Sequence, residues 1–149
     1  MRLEEAIKQK SFKDEYQKMV INIAYTSSWL ATKQSSLFKE FDLSSQQFNI
    51  LRILRGAKGQ PLAMQDIAER MIDKMSNCSR LVEKLRLKNM LERKACPNDR
   101  RQVEIIITEK GMEVLKVLDE KLPLFHEELH HLTKAEASTL NALLDKLRG

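Results

Sequence analysis

Nine cationic side chains crowd residues 72–101, at Lys74, Arg80, Lys84, Arg86, Lys88, Arg93, Lys94, Arg100 and Arg101, against four acidic ones at Asp73, Glu83, Glu92 and Asp99. The whole 149-residue chain carries a formal charge of +5, from 26 basic and 21 acidic residues, so this one segment holds an excess as large as the total. Residues 111–149, with five basic and seven acidic side chains, lean the other way. Positive charge concentrated in one fifth of a chain is the footprint of a polyanion site. The chemistry it offers is recognition: ammonium and guanidinium groups meet phosphate oxygens, and guanidinium also reads base edges.

The other reactive residue types do not assemble into a reaction centre. His126 and His130 stand i, i+4, a spacing that can hold one metal ion, with Glu127 and His131 beside them. No further His or Cys cluster completes a site, so the pair reads as solvated surface and no metal is expected. Cys78 and Cys96 are too few for a disulfide framework. Cys78 falls on an apolar helical face as a small core residue, whereas Cys96 is expected nearer the surface, where oxidation could reach it. There is no Gly-rich phosphate loop, no Ser/His/Asp arrangement with supporting glycines and no recognisable pair of carboxylates. The sequence therefore reads as a non-enzyme without a cofactor.

The elements that must position the cations are mostly helical. Hydrophobic residues make up 42% and charged residues 32%, enough to bury a core, while four glycines and three prolines leave little room for many-turned β architecture. The N-terminal Met-Arg-Leu-Glu-Glu is acidic where a secretion signal needs an apolar run, and no stretch approaches a membrane span, so a cytoplasmic setting is expected. Residues 12–41 lack glycine and proline and place Phe12, Tyr16, Met19, Val20, Ile23, Leu30, Leu37 and Phe41 on one buried stripe of a long helix. Ser44 and Gln47 have capping-box spacing, and Leu43 can staple against Phe48 at the start of a helix that runs to the Gly56–Gly59 break. Pro61 and Leu62 then lead into a short helix over 63–71.

A second short helix is read over about 75–88, where Cys78, Leu81, Val82 and Leu85 fall at i, i+3, i+4 and i+7 and share a buried face. Asn89 suits a left-handed residue ending it. Residues 91–96 and 102–107 form the arms of a hairpin around Pro97-Asn98-Asp99, with Arg100 and Arg101 at or just past the tip. Thr108 can cap a helix from Glu109, which Pro123 should bend or interrupt. Thr133 and Glu136 form another capping box before a final helix with Leu140, Leu143, Leu144 and Leu147 on one side. Helix, helix-turn-helix and basic hairpin in that order spell a winged helix-turn-helix, mainly α with a small β-wing.

At Asp99-Arg100-Arg101, followed by Ile107-Thr108-Glu109-Lys110-Gly111, the sequence resembles the MarR family of bacterial transcription regulators. Asp66-Ile67-Ala68 and Arg80-Leu81-Val82-Glu83-Lys84-Leu85 extend the likeness, and order and spacing agree over roughly residues 12–147. The resemblance implies a single domain over 1–149, with a DNA-binding lobe at about 44–108 and dimerisation helices at about 12–41 and 109–149. It implies a homodimer that grips a pseudo-palindromic operator in double-stranded DNA, as a repressor by family habit, and that is released by a small-molecule effector. The recognition helix maps to about 75–88 and makes Ser76, Asn77, Ser79, Arg80 and Lys84 the DNA-reading candidates. In the wing, Asp99 would orient Arg101 into the minor groove, with Arg100 as a second contact. Lys74, Arg93 and Lys94 are the phosphate candidates. Tyr25, Trp29 and Phe48 would stand nearest an effector cleft, unless they serve ordinary core or dimer packing.

Two departures from the family pattern are Asn89 in place of glycine and Ala63 in place of a capping Ser or Thr, which leaves that helix start open to fraying. Peroxide-sensing members carry their reactive cysteine in the N-terminal helix, where this chain has none, so it does not read as a redox sensor. A winged fold can also serve as a protein-interaction adaptor without DNA. The arginines at the wing tip argue against that alternative.

Overall fold

Helix starts that the sequence marks with a capping side chain are helix starts in the computed structural model, which describes residues 1–98, 103–127 and 131–149. In chain order the elements are α1 (Leu3–Ala6), α2 (Glu15–Lys39), α3 (Ser45–Gly56), β1 (Leu62–Ala63), α4 (Met64–Arg70), α5 (Cys78–Leu87), β2 (Leu91–Ala95), β3 (Val103–Ile107), α6 (Glu109–Glu127) and α7 (Lys134–Arg148). Ser44 Oγ accepts from Gln47 N at 3.1 Å, and Gln47 Oε1 accepts from Ser44 N at 2.9 Å, which completes the box at α3. Thr133 and Glu136 do the same at α7. Ala63 supplies no cap to α4, as its side chain dictates. α2 begins at Glu15 and not at Phe12, because Asp14 Oδ1 accepts from Gln17 N at 2.8 Å and sets the start there.

Three other expectations need correction. Leu62 does not merely lead into a helix. It pairs with Ile105 as β1, so the hairpin becomes a three-stranded antiparallel sheet of order β1-β3-β2. Pro123 does not interrupt α6, which runs on to Glu127. The proline sits on the exposed side, where water can satisfy the one carbonyl its missing N–H leaves unpaired. Finally, the stripe over 12–41 is buried within the chain only toward its C-terminal end, where Leu37 and Phe41 pack against the core. Only Phe38 of α2 is fully enclosed, while Tyr16 is 78% and Val20 61% exposed.

The core lies under the lobe that carries the cations. Ile50, Leu51 and Leu54 of α3 meet Ile67, Val82, Leu85, Leu91, Ile105, Leu115 and Leu118, each at most 1% exposed. α3 is the hub, contacting α2, α4, α5, α6 and β3. α5 therefore rests on a rigid base with its other face turned outward. Asn89, at φ +58°, reverses the chain between α5 and β2. Its carbonyl accepts from Thr108 Oγ1 at 2.7 Å, and the same oxygen of Thr108 accepts from Gly111 N at 3.2 Å, so one threonine joins the α5 exit to the α6 start.

Candidate nucleic-acid interface

The helix expected over 75–88 begins only at Cys78, and the reason is the side chain of Asn77. Its Oδ1 accepts from Arg80 N at 3.1 Å, so Asn77 is the N-cap and precedes the helix, with its NH2 still available to donate outward. Ser76 lies half-buried in the turn ahead of it, its Oγ enclosed without a partner among the described residues. Ser79, Arg80 and Lys84 stand exposed on the outer face of α5, opposite the buried Cys78, Val82 and Leu85. Burial pushes the Cys78 thiol above its ordinary range, which makes it a core residue and a poor nucleophile. Cys96 is half-buried, less exposed than its place in a hairpin arm suggests.

The turn between α4 and α5 is tied at several points. Asp73 Oδ1 accepts from Met75 N at 3.0 Å, Asp73 O accepts from Ser76 N at 3.2 Å, and Lys74 Nζ donates to the carbonyl of Glu69. Asn49, in the middle of α3, accepts from Ile72 N at 2.9 Å and anchors the turn to the hub. No sequence signal announces that bond, since it spans 23 residues. Replacing Asn49 by Ala is expected to cost about 1 kcal/mol in denaturant unfolding and to speed hydrogen exchange at the Ile72 amide. Asn49→Asp keeps the acceptor and should keep both values near wild type.

Charge on the two strands and α5 is partly spent internally. Glu83 holds Arg86 at 2.8 Å and Arg93 at 3.3 Å, linking α5 to β2. The Arg86 hydrogen bond is the main reason its carboxyl sits below the ordinary value of 4.5. Arg93 is thus committed to a structural pair, whereas Lys94 is exposed. Asp99, Arg100 and Arg101 lie outside the described residues, as does His130. Among the described residues no cluster of His, Cys, Asp and Glu is placed to hold a metal ion.

A cavity of about 1330 Å³ opens between α2, α3, α6, α7 and the α4–α5 turn. Phe48 lines it, stacked on Phe38 at 4.6 Å between ring centroids. Tyr25 and Trp29 do not line it. α2 offers the row Asn22, Thr26 and Leu30 to the cavity, and Tyr25 and Trp29 lie one step off that row. The Trp29 ring lies instead beneath Lys33 Nζ, 5.4 Å from the centroid. Across the mouth, Arg55 of α3 grips Asp119 of α6 through two bonds of 2.6 and 3.2 Å, a link between lobe and long helix that sequence did not reveal.

A helix-turn-helix on a shared core, a β-hairpin behind it and exposed cations on the outward face of its second helix define a winged helix-turn-helix DNA-binding protein. The family model described as MarR family matches residues 43–103. The chain is similar to the crystal structure of a MarR transcription factor from Planctomyces limnophilus, at 30% identity, with a TM-score of 0.69 and coverage of 91% of this chain and 98% of that one. It is also similar to the transcriptional repressor MprA of Escherichia coli, 24% identical over 97% of this chain and 84% of that protein. A mutant MarR from E. coli complexed with operator DNA shares the fold, with a TM-score of 0.80 at 21% identity, over 93% of this chain and 99% of that one. The chain belongs to the MarR family. It is a transcription regulator and not an enzyme.

Proposed function

We propose that the protein represses transcription as a homodimer bound to a pseudo-palindromic operator, and that a small molecule in the cavity releases it. The observation that carries the DNA reading is the outer face of α5, where Ser79, Arg80 and Lys84 are exposed while the opposite face is locked into the core. A helix so presented suits the major groove, with Asn77 and Arg80 near its N-terminal end as base readers. Lys74 and Lys94 flank it as phosphate contacts, with Arg93 secondary because Glu83 already holds it. The wing tip, Asp99 with Arg100 and Arg101, completes the grip from the minor groove. The operator-bound relative and the repressor MprA support this reading.

Dimerisation is supported by apolar faces that the single chain leaves uncovered. Leu140, Leu143 and Leu147 of α7 are about half exposed, and Tyr16 and Val20 of α2 more so. Helical stripes of this kind are covered by another helix or cost solubility. We assign 44–108 to the DNA-binding lobe and 12–41 with 109–149 to the dimer. Among the described residues no helix is long and apolar enough to cross a membrane, and DNA as partner suits the cytoplasm.

The test is a salt-dependent titration against the DNA flanking the protein's own gene, beside a mixed-sequence duplex. Tight binding to the flanking DNA alone, with log K falling steeply against log salt, is the expected result. Arg101→Ala should weaken that binding while the dimer mass is unchanged. No binding to either duplex at low salt would defeat the proposal and leave the adaptor reading.

A further inference from the structure

Met75 stands out on the surface of the lobe. It is 92% exposed, the most uncovered large apolar side chain beyond the N-terminal methionine among the described residues. Its neighbour in the same turn, Ile72, is also exposed but borders the cavity, whereas Met75 does not line it and packs in no core. The backbone beneath Met75 is fixed, because its N–H is held by Asp73 Oδ1 and the next N–H by Asp73 O. An apolar side chain is thus held out, in a tied turn, between Lys74 and the Asn77–Arg80 end of α5. The cations on both sides match a polyanion and disfavour a hydrophobic protein partner at this spot.

We propose that Met75 is a specificity-determining residue that reads a thymine through its C5-methyl group. The major groove exposes that methyl as the one apolar feature of its code, and apolar side chains recognise it by contact. The N-terminal end of a recognition helix is the part that reaches base edges, and Met75 lies two residues ahead of the Asn77 cap. Methionine suits the task, since its unbranched thioether conforms to an irregular apolar surface. The inference rests on the DNA-binding reading and adds a preference that none of the polar candidates supplies.

The experiment uses the full-length protein and the duplex it selects from a randomised pool, with each thymine replaced in turn by deoxyuridine, which lacks only the methyl. Wild type should lose about fourfold in affinity at one thymine per half-site, the ordinary worth of one buried methyl group. Met75→Ala and Met75→Gln should bind the two duplexes equally at that position, and Met75→Leu should keep the discrimination. A uracil penalty that persists in Met75→Ala, or no thymine whose methyl matters, overturns the proposal. A changed dimer mass in Met75→Ala with unchanged thymine preference would assign the side chain to a second copy of the chain and equally overturn it. Failure to select any duplex would instead strike the DNA-binding reading itself.

Discussion

Replacing Gly111 by alanine is expected to destabilise the protein by about 3 kcal/mol, a large share of the 5–15 kcal/mol typical of a domain. A Cβ at this position would lie 2.3 Å from the Met90 carbonyl oxygen, 2.8 Å from Ile107 Cγ1 and 3.2 Å from the Met90 carbonyl carbon. The carbonyl cannot swing away cheaply. It accepts from Thr108 N at 3.1 Å and follows Asn89 in its left-handed turn. Relief would require α6 to lift from the α5–β2 junction, and α6 carries Leu115 and Leu118 into the core. Gly56 is the control: a Cβ there meets nothing within 4 Å, so Gly56→Ala should be neutral or slightly stabilising. Denaturant unfolding of the two variants measures the difference directly. A Gly111→Ala protein as stable as wild type would show that the close approach of α6 is not needed.

Arg80→Ala is expected to relax base preference by about 1–3 kcal/mol at one position per half-site while leaving stability unchanged. Its backbone N–H is bound by the Asn77 cap, so the origin of the side chain is fixed, and the side chain itself is exposed. Arg86, six residues along, makes the contrast, because Glu83 holds its guanidinium through three hydrogen bonds. Arg86→Ala removes only an i,i+3 pair within α5 and leaves Glu83–Arg93 to link α5 to β2, so it should leave sequence preference unchanged. Titrations over single-base variants of the selected operator separate the two. If Arg80→Ala instead weakens every sequence equally, Arg80 contacts phosphate and the base reader lies elsewhere on the helix.

Those parts of the fold that depend on neighbours within about four residues were legible in the sequence. The capping boxes at Ser44 and Thr133, the buried face of α5 and the left-handed Asn89 are all local, and each appears where its residues place it. What escaped depends on partners far along the chain. β1 is two residues long and exists because Ile105 lies opposite Leu62. The anchor from Asn49 to Ile72 and the clamp from Arg55 to Asp119 join segments that share no pattern. Periodicity marked the stripes on α2 and α7 but could not say that their own chain leaves them open. Nor could it say which row of α2 faces the cavity, the row of Asn22, Thr26 and Leu30 that lies one step from Tyr25 and Trp29.

The clamp at the cavity mouth has a bearing on how binding data should be understood. α6 is joined to α3 by Arg55–Asp119 and to the C-cap of α2 by Lys121–Glu40, and all four side chains are partly exposed. Such pairs are individually weak and fade as counterions accumulate. Ionic strength therefore enters this protein twice, once where its cations displace those condensed on DNA and once where the lobe is braced against its long helix. A slope of affinity against salt reports the sum, and only a variant lacking the brace separates the phosphates counted from the posture that counts them.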